Sequence, residues 1–452
     1  MKFLIITLNV LLFSITSILG QNNPINLNTN LLSSYNPYPS LRYSDVWGYD
    51  HNDGKEYALL GVLNGLSIID ISDNENPNEV AFIDGPNSIW RDIKVKDQYA
   101  YISTEGTGDN EGLQIIDLSD LPSSAKLILS SNDIFTTAHN IFVYNNLLFA
   151  VGTDTEPGAH IIDISVPEFP RQISTYQESN YIHDLYVWQD RMVVCAADHF
   201  ALVDISVPQN PKLISKSPTI PGIYAHSGWM SEDKRYFFST DEFNVNDISV
   251  WDLSDETSWN LVLQSWQMPS ESTVHNLFIK DNFAHISYYG DGYVVLDISN
   301  PEVPVLVAQY DTDPENVRGY RGSWGCFPYL PSGKILISDI NNGLFVIEFL
   351  GDGGVTSIDD LNINPKDFSL LSNYPNPFNP TTQISFELPE TSNIMLSVYN
   401  VIGEKVVQVL DEVKQAGRHS INFDASNLSG GVYFLLMEAG KYKRTIKMSL
   451  IK

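Results

Sequence analysis

One short apolar phrase recurs seven times in the first three quarters of this 452-residue chain: GLSIIDIS (Gly65 to Ser72), GLQIIDLS (Gly112 to Ser119), AHIIDIS (Ala159 to Ser165), FALVDIS (Phe200 to Ser206), ISVWDLS (Ile248 to Ser254), GYVVLDIS (Gly292 to Ser299) and GLFVIEF (Gly343 to Phe349). Its acidic residues, Asp70, Asp117, Asp163, Asp204, Asp252, Asp297 and Glu348, follow one another at 47, 46, 41, 48, 45 and 51 residues. A period of roughly 40 to 50 residues belongs to propeller blades or helical solenoids. The β-branched phrases decide for strands.

Two further strand signals precede each phrase, for example HNIFVYN (His139 to Asn145) and, after a tight turn, NLLFAVG (Asn146 to Gly152). A Pro-marked turn then leads into a fourth strand such as PKLISKS (Pro211 to Ser217). Four strands in each of seven repeats predict an all-β, seven-bladed propeller over residues 21–350. The last repeat lacks its fourth strand, and INLNTNLLSS (Ile25 to Ser34) is expected to supply it and close the ring. The repeats resemble those of the LVIVD-repeat propellers, grouped as the choice-of-anchor B family of bacterial surface and secreted proteins. That resemblance implies a fold and leaves activity open.

Residues 1–20 have a signal-peptide layout, with one Lys, an apolar run from Phe3 to Phe13 and a mixed stretch before Gln21. No later segment is apolar enough for a membrane helix. Residues 351–367 read as a Gly-bearing linker. From 368 to 452 short alternating strands predict a small immunoglobulin-like β-sandwich. This region is similar to the type A sorting domain of the type IX secretion system: the YPNPFNP opening (Tyr374 to Pro380), a GxxV turn, the GVYF strand (Gly431 to Phe434) and a Lys-bearing end are all present. The resemblance implies passage through the periplasm, recognition by the type IX export machinery and release to the cell surface or medium.

The formal net charge of −29 sits in the body, because the chain from Asn373 onward is close to neutral. Such a body repels phosphate backbones and anionic lipid, which excludes nucleic acid as a partner and favours cations, glycans or peptides. Cys195 and Cys326 fall three repeats apart and read as buried strand thiols.

In an antiparallel blade the start of the first strand and the end of the second share one face. At the first position the repeats present Ser44, Arg91, His139, His183, His226, His275 and Gly322, with Arg321 beside the last. Four of the nine histidines of the chain thus fall in successive blades. The second position brings Glu105, Asp154, Asp198, Asp241, Asp291 and Asp339. Imidazoles among carboxylates suit a transition metal such as zinc, with His139, His183, His226 and His275 as candidate ligands. The same histidines could equally be fixed by hydrogen bonds to the next blade's backbone. Trp90, Tyr181, Tyr224, Tyr288, Tyr289 and Tyr320 stand near this ring, as a platform for sugar rings or peptide side chains, or as inter-blade packing. The repeated Asp at the far end of the third strand is expected to close its own turn, and DNEN (Asp73 to Asn76) and DTDPEN (Asp311 to Asn316) are weak calcium candidates. No phosphate loop, dinucleotide fingerprint, HExxH or nucleophile elbow occurs, so no catalytic residue is assigned. Three readings remain open: a non-enzymatic binding module for a surface glycan, peptide or protein, a metal-dependent hydrolase on the same face, and a structural surface protein without a small ligand.

Overall fold

The computed structural model describes residues 26–178, 181–219, 222–243, 247–268, 272–314, 320–351, 368–370, 373, 376–389, 391–414 and 417–452. The signal peptide expected over 1–20 and nearly all of the linker lie outside these residues. The chain divides after Gly354 into two compact units.

Six four-stranded sheets and one five-stranded sheet make the seven blades of the first unit. Within a blade the strands pair in chain order and antiparallel, because each tight Asn/Asp turn returns the chain directly alongside itself. The innermost strands are Tyr43–Asp50, Arg91–Lys96, Asn140–Tyr144, Asp184–Trp188, Ala225–Met230, Leu277–Lys280 and Ser323–Phe327. The third strands carry the repeated phrase and bury its branched aliphatic residues, among them Ile68, Ile115, Ile161, Leu202, Val250, Val295 and Val346, between neighbouring blades. In all seven blades the pairing of the third with the fourth strand contains a register shift, a bulge that adds twist where the outer strand turns away from the axis.

Ring closure follows the expectation and adds to it. Thr29–Tyr35 pairs with Gly343–Phe349 as the fourth strand of blade seven. Asn26–Leu27 pairs instead with Val305–Tyr310 and becomes a fifth strand of blade six. One N-terminal segment therefore ties the last two blades together and covers two sheet edges. Cys195 and Cys326 are free and buried.

The second unit is a sandwich of a three-stranded and a four-stranded sheet. Asn376 anchors the final strand, Tyr442–Leu450: Nδ2 donates to the Lys447 carbonyl and Oδ1 accepts from Ser449 N–H, both at 2.8 Å. Phe378 exchanges backbone bonds with Ser449 and Ile451 and sinks its ring into the sandwich core against Phe423.

Candidate binding cup at the propeller axis

The first strands converge on the axis, and each contributes side chains at successive depths. The outermost of these is the ring position. Its histidines meet as tilted rings through successive blades, with centroids 4.2 Å apart for His139 and His183, 4.2 Å for His183 and His226, and 4.7 Å for His226 and His275. Trp324 continues the arc 4.5 Å from His275. It is Trp324, not Gly322, that fills the seventh position: like His226 it sits in a bulge after the first residue of its strand, and an aromatic, Phe327, follows it three residues on. Ser44 is small, which lets Trp90 reach across blade one to Trp324 with centroids 5.9 Å apart.

Backbone carbonyls of the next blade orient two of the ring histidines. His183 Nδ1 lies 3.0 Å from the His226 carbonyl and His275 Nδ1 lies 2.5 Å from the Trp324 carbonyl. A carbonyl only accepts, so Nδ1 carries the proton and Nε2 keeps a lone pair. Burial, reinforced by neighbouring imidazoles, holds His183 and His226 well below the ordinary histidine range, and burial brings His275 down to about 3. These three rings are neutral at pH 7. His139, at the open end of the arc, turns its Nδ1 to Glu105 Oε1 at 2.6 Å. Gly152, at φ +60°, is required beside it: a Cβ there would stand 2.5 Å from His139 Cβ and 2.7 Å from Tyr181 Oη.

Above the ring opens a cavity of about 440 Å³. Its walls are aromatic, from Trp90, Tyr181, Tyr224, Tyr289, Tyr320 and Trp324, and its polar groups are Glu105, Glu242, Arg42, His139 and His183. Glu242 enters from the loop after the second strand of blade five; its Oε1 accepts from Tyr289 Oη at 2.8 Å, and burial raises its carboxyl above the ordinary range. Below lies a polar cavity of about 30 Å³ bounded by all four ring histidines, and beneath that another of about 30 Å³ lined by Asp45, Asp92, Lys94, Asn140 and Asp184. Each is large enough for a water molecule. Lys94 Nζ sits 2.6 Å from Asp92 Oδ1 and 4.7 Å from the centre of the Trp47 ring. Burial, and next the charge of Asp92, pushes Asp184 up to about 7.

An aromatic plug closes the axis at the bottom. Trp229 of blade five meets Phe142 of blade three at 5.8 Å, and Trp47 of blade one meets Phe278 of blade six at 6.2 Å. Contacts between blades that are not neighbours can only be made across the axis. The channel is therefore a blind cup, open at the face that carries the ring.

The remaining candidate residues serve their own surroundings and are not among those lining the large cavity. Asp154 accepts from the backbone of Thr136 and Thr137, Asp198 from His199 Nδ1, and Asp241 from Tyr224 and Phe243 N–H. Asp291 ends a short 3-10 turn, and its carbonyl accepts from Gln309. Asp339 binds Thr312 Oγ1 at 2.6 Å and the amides of Asn341 and Asn342. Arg321 pairs with Asp313. Arg91 is buried against the carbonyls of Val62 and Pro86 and the Gln114 side chain, and burial lowers its pKa to about 10. Asp73 closes a local turn on Glu75 and Asn76, and Asp311 one on Asp313; Glu315 and Asn316 of the second calcium candidate lie outside the described residues. Sequence reasoning missed Glu242, which directly follows the repeat-frame residue Asp241 and was hidden by it. It also missed the plug, although an aromatic follows three residues after every ring histidine: Phe142, Tyr186, Trp229 and Phe278.

A seven-bladed, axially plugged propeller followed by a β-sandwich is the class that this fold and cup define. Residues 55–84, 90–133 and 273–312 match the LVIVD repeat, and residues 372–452 match the secretion system C-terminal sorting domain. The chain thus carries LVIVD repeats within its propeller and a sorting domain that directs export through the type IX secretion machinery, to the cell surface or the medium. No curated protein matches it in sequence. Among solved structures, the periplasmic gluconolactonase PpgL of Pseudomonas aeruginosa is similar in fold, at 9% identity and a TM-score of 0.50, over 85% of this chain and 100% of that one. A Lactobacillus plantarum protein aligns at 11% identity and a TM-score of 0.50, over 88% of this chain and 100% of the other. PorZ, a surface component of the type IX system of Porphyromonas gingivalis, aligns at 12% identity and a TM-score of 0.45 over 89% of this chain, which spans 58% of the length of PorZ. At these identities the likeness concerns fold alone. Among the described residues no helix is long and apolar enough to cross a membrane.

Proposed function

We propose that the exported propeller is a binding module whose axial cup takes a neutral, hydroxyl-rich ligand, such as the terminal unit of a surface glycan. The observation that carries this reading is the aromatic-walled cavity of about 440 Å³ above a floor of imidazoles. Its volume falls in the usual small-molecule range of about 300–1,000 Å³. Flat rings offer faces for the C–H surface of a sugar, while carboxylates and the unprotonated Nε2 atoms accept hydrogen bonds from hydroxyls. A hydroxyl-bearing ligand suits the lining, because Glu105 is already engaged by His139 and Arg42 adds a hydrogen-bond donor beside the carboxylate acceptors.

Calorimetric titration of the purified protein with neutral oligosaccharides tests this, beside Trp324→Ala and Trp90→Ala. Saturable binding in the wild type, weakened about two- to tenfold by either substitution, is the expected result, since an aromatic contact contributes about 0.5–1.5 kcal/mol beyond its buried area. Binding that survives both substitutions would place the ligand elsewhere. Turnover of a bound glycan or peptide that chelators abolish would replace binding with hydrolysis in the same cup. No binding to glycans, peptides or surface proteins would leave a structural role.

A further inference from the structure

Beneath the aromatic walls, His183, His226 and Glu242 each direct one donor atom to a common point, and these atoms all lie within 4.8 Å of one another. Among the described residues no other group of three His, Cys, Asp or Glu side chains converges this closely. His226 Nε2 and Glu242 Oε2 are 3.7 Å apart. In a tetrahedral zinc site with bonds of about 2.1 Å, neighbouring donors stand about 3.4 Å apart. That pair is therefore already near ligating separation without an ion.

The other polar atoms of the three side chains are occupied. His183 Nδ1 donates to the His226 carbonyl, His226 Nδ1 lies 3.3 Å from Thr240 Oγ1, and Glu242 Oε1 is held by Tyr289. Outer hydrogen bonds of this kind fix ring tautomer and orientation and leave one donor per residue for an ion. We infer that His183, His226 and Glu242 form a site for one divalent transition-metal ion, with its remaining coordination positions open towards the cup.

Two imidazoles and a carboxylate suit zinc or iron(II), whereas calcium and magnesium prefer oxygen alone. The ligand set differs from the four histidines of the repeat pattern. His139 is turned to Glu105 and His275 is not part of the convergent group, so the carboxylate of Glu242 takes the place of a third imidazole. This site does not depend on the glycan reading, because the metal alone is the probe.

The experiment is a cobalt(II) titration of the chelator-treated full-length protein, followed by visible absorption and displaced with zinc. The expected result is one equivalent per chain with a ligand-field band that zinc removes. Glu242→Gln, which keeps an acceptor for Tyr289, should abolish the band while near-ultraviolet circular dichroism stays unchanged. Tyr289→Phe frees the carboxylate and should weaken binding on the order of 10- to 100-fold. If Glu242→Gln misfolds, Tyr289→Phe decides alone. Lack of saturable uptake by the wild type overturns the site, as does uptake that neither substitution alters. Metal uptake without glycan binding would sink only the ligand reading, and glycan binding without metal only this one.

Discussion

The two ends of a blade treat a repeated acidic residue in opposite ways. At the end away from the cup, Asp70, Asp117, Asp163, Asp204, Asp252 and Asp297 all do the same thing: Oδ1 accepts the amide of the Ser two residues on, at 2.8–3.0 Å in every case. At the cup end, Glu105, Asp154, Asp198, Asp241 and Asp339 add partners that differ from one to the next, from a ring histidine to a threonine hydroxyl in the loop of the preceding blade. Where the partner lies within the same turn, repetition of sequence repeats the bond. Where it comes from another loop or blade, repetition carries only position, and the loops around it have diverged. That divergence is what builds a cup with one aromatic wall and one convergent ligand set in an otherwise sevenfold frame.

Substitutions should reproduce this contrast. All eight tryptophans lie before the sorting domain, so their fluorescence during urea unfolding reports on the propeller alone. The largest loss is expected at the axis, where Trp229 touches Phe142, Tyr186 and Phe278 from three other strands and Tyr329 from the loop after a fourth. Trp229→Ala should cost about 3–5 kcal/mol, and a loss below about 1 kcal/mol would show that the plug is not a structural hub. Asp339→Ala removes three hydrogen bonds, and a cost of about 2–3 kcal/mol is expected from their usual net worth.

Acid should act next, through the ring. Between pH 6.5 and about 3 the unfolded chain protonates His275 while the folded chain keeps it neutral, so stability falls as pH falls through that window. Such a group contributes a slope of about 1.4 kcal/mol per pH unit. His275→Gln should flatten the acid limb by about one proton, measured as stability against pH. Asp184 acts with the opposite sign, because its folded pKa of about 7 exceeds the ordinary aspartate value of 3.8 and the folded chain protonates first. Asp184→Asn should therefore stabilise most above pH 7, with the gain shrinking towards pH 4. Equal pH profiles for either variant and the wild type would remove the buried ring and carboxylate layer as the source of acid sensitivity.

The smallest effects should be the most uniform. Asp204→Ala and Asp297→Ala should each cost about 1 kcal/mol, the worth of one turn bond. Glu105→Ala, on an exposed carboxylate, should stay within about 0.5 kcal/mol. If the costs at the phrase Asp scattered as widely as those at the cup end, the contrast between the two ends would fail.

Much of this was readable from residues alone. The phrase, its period and the missing fourth strand of the last repeat were enough to expect seven blades and an N-terminal closing strand, because strand patterning and chain order are local properties. The ring histidines were readable as a set because they share a repeat position. Glu242 was not, since nothing in EF after Asp241 says that this side chain, rather than its neighbour's, reaches the axis. Trp324 was missed because the seventh repeat has no histidine to mark the position, although Phe327 follows it at the same three-residue spacing as the other aromatics.

By itself, then, the sequence determined the all-β class, the blade count, the closing strand and the sorting tail, because each rests on periodicity or on a contiguous motif. Only the tertiary structure decided which side chains meet at the axis: the aromatic plug below, the carbonyl-oriented imidazoles, and the meeting of His183, His226 and Glu242 beneath Tyr289. Those contacts join residues of different blades, and their geometry is set by how the blades pack around a common centre rather than by the residues adjacent in the chain.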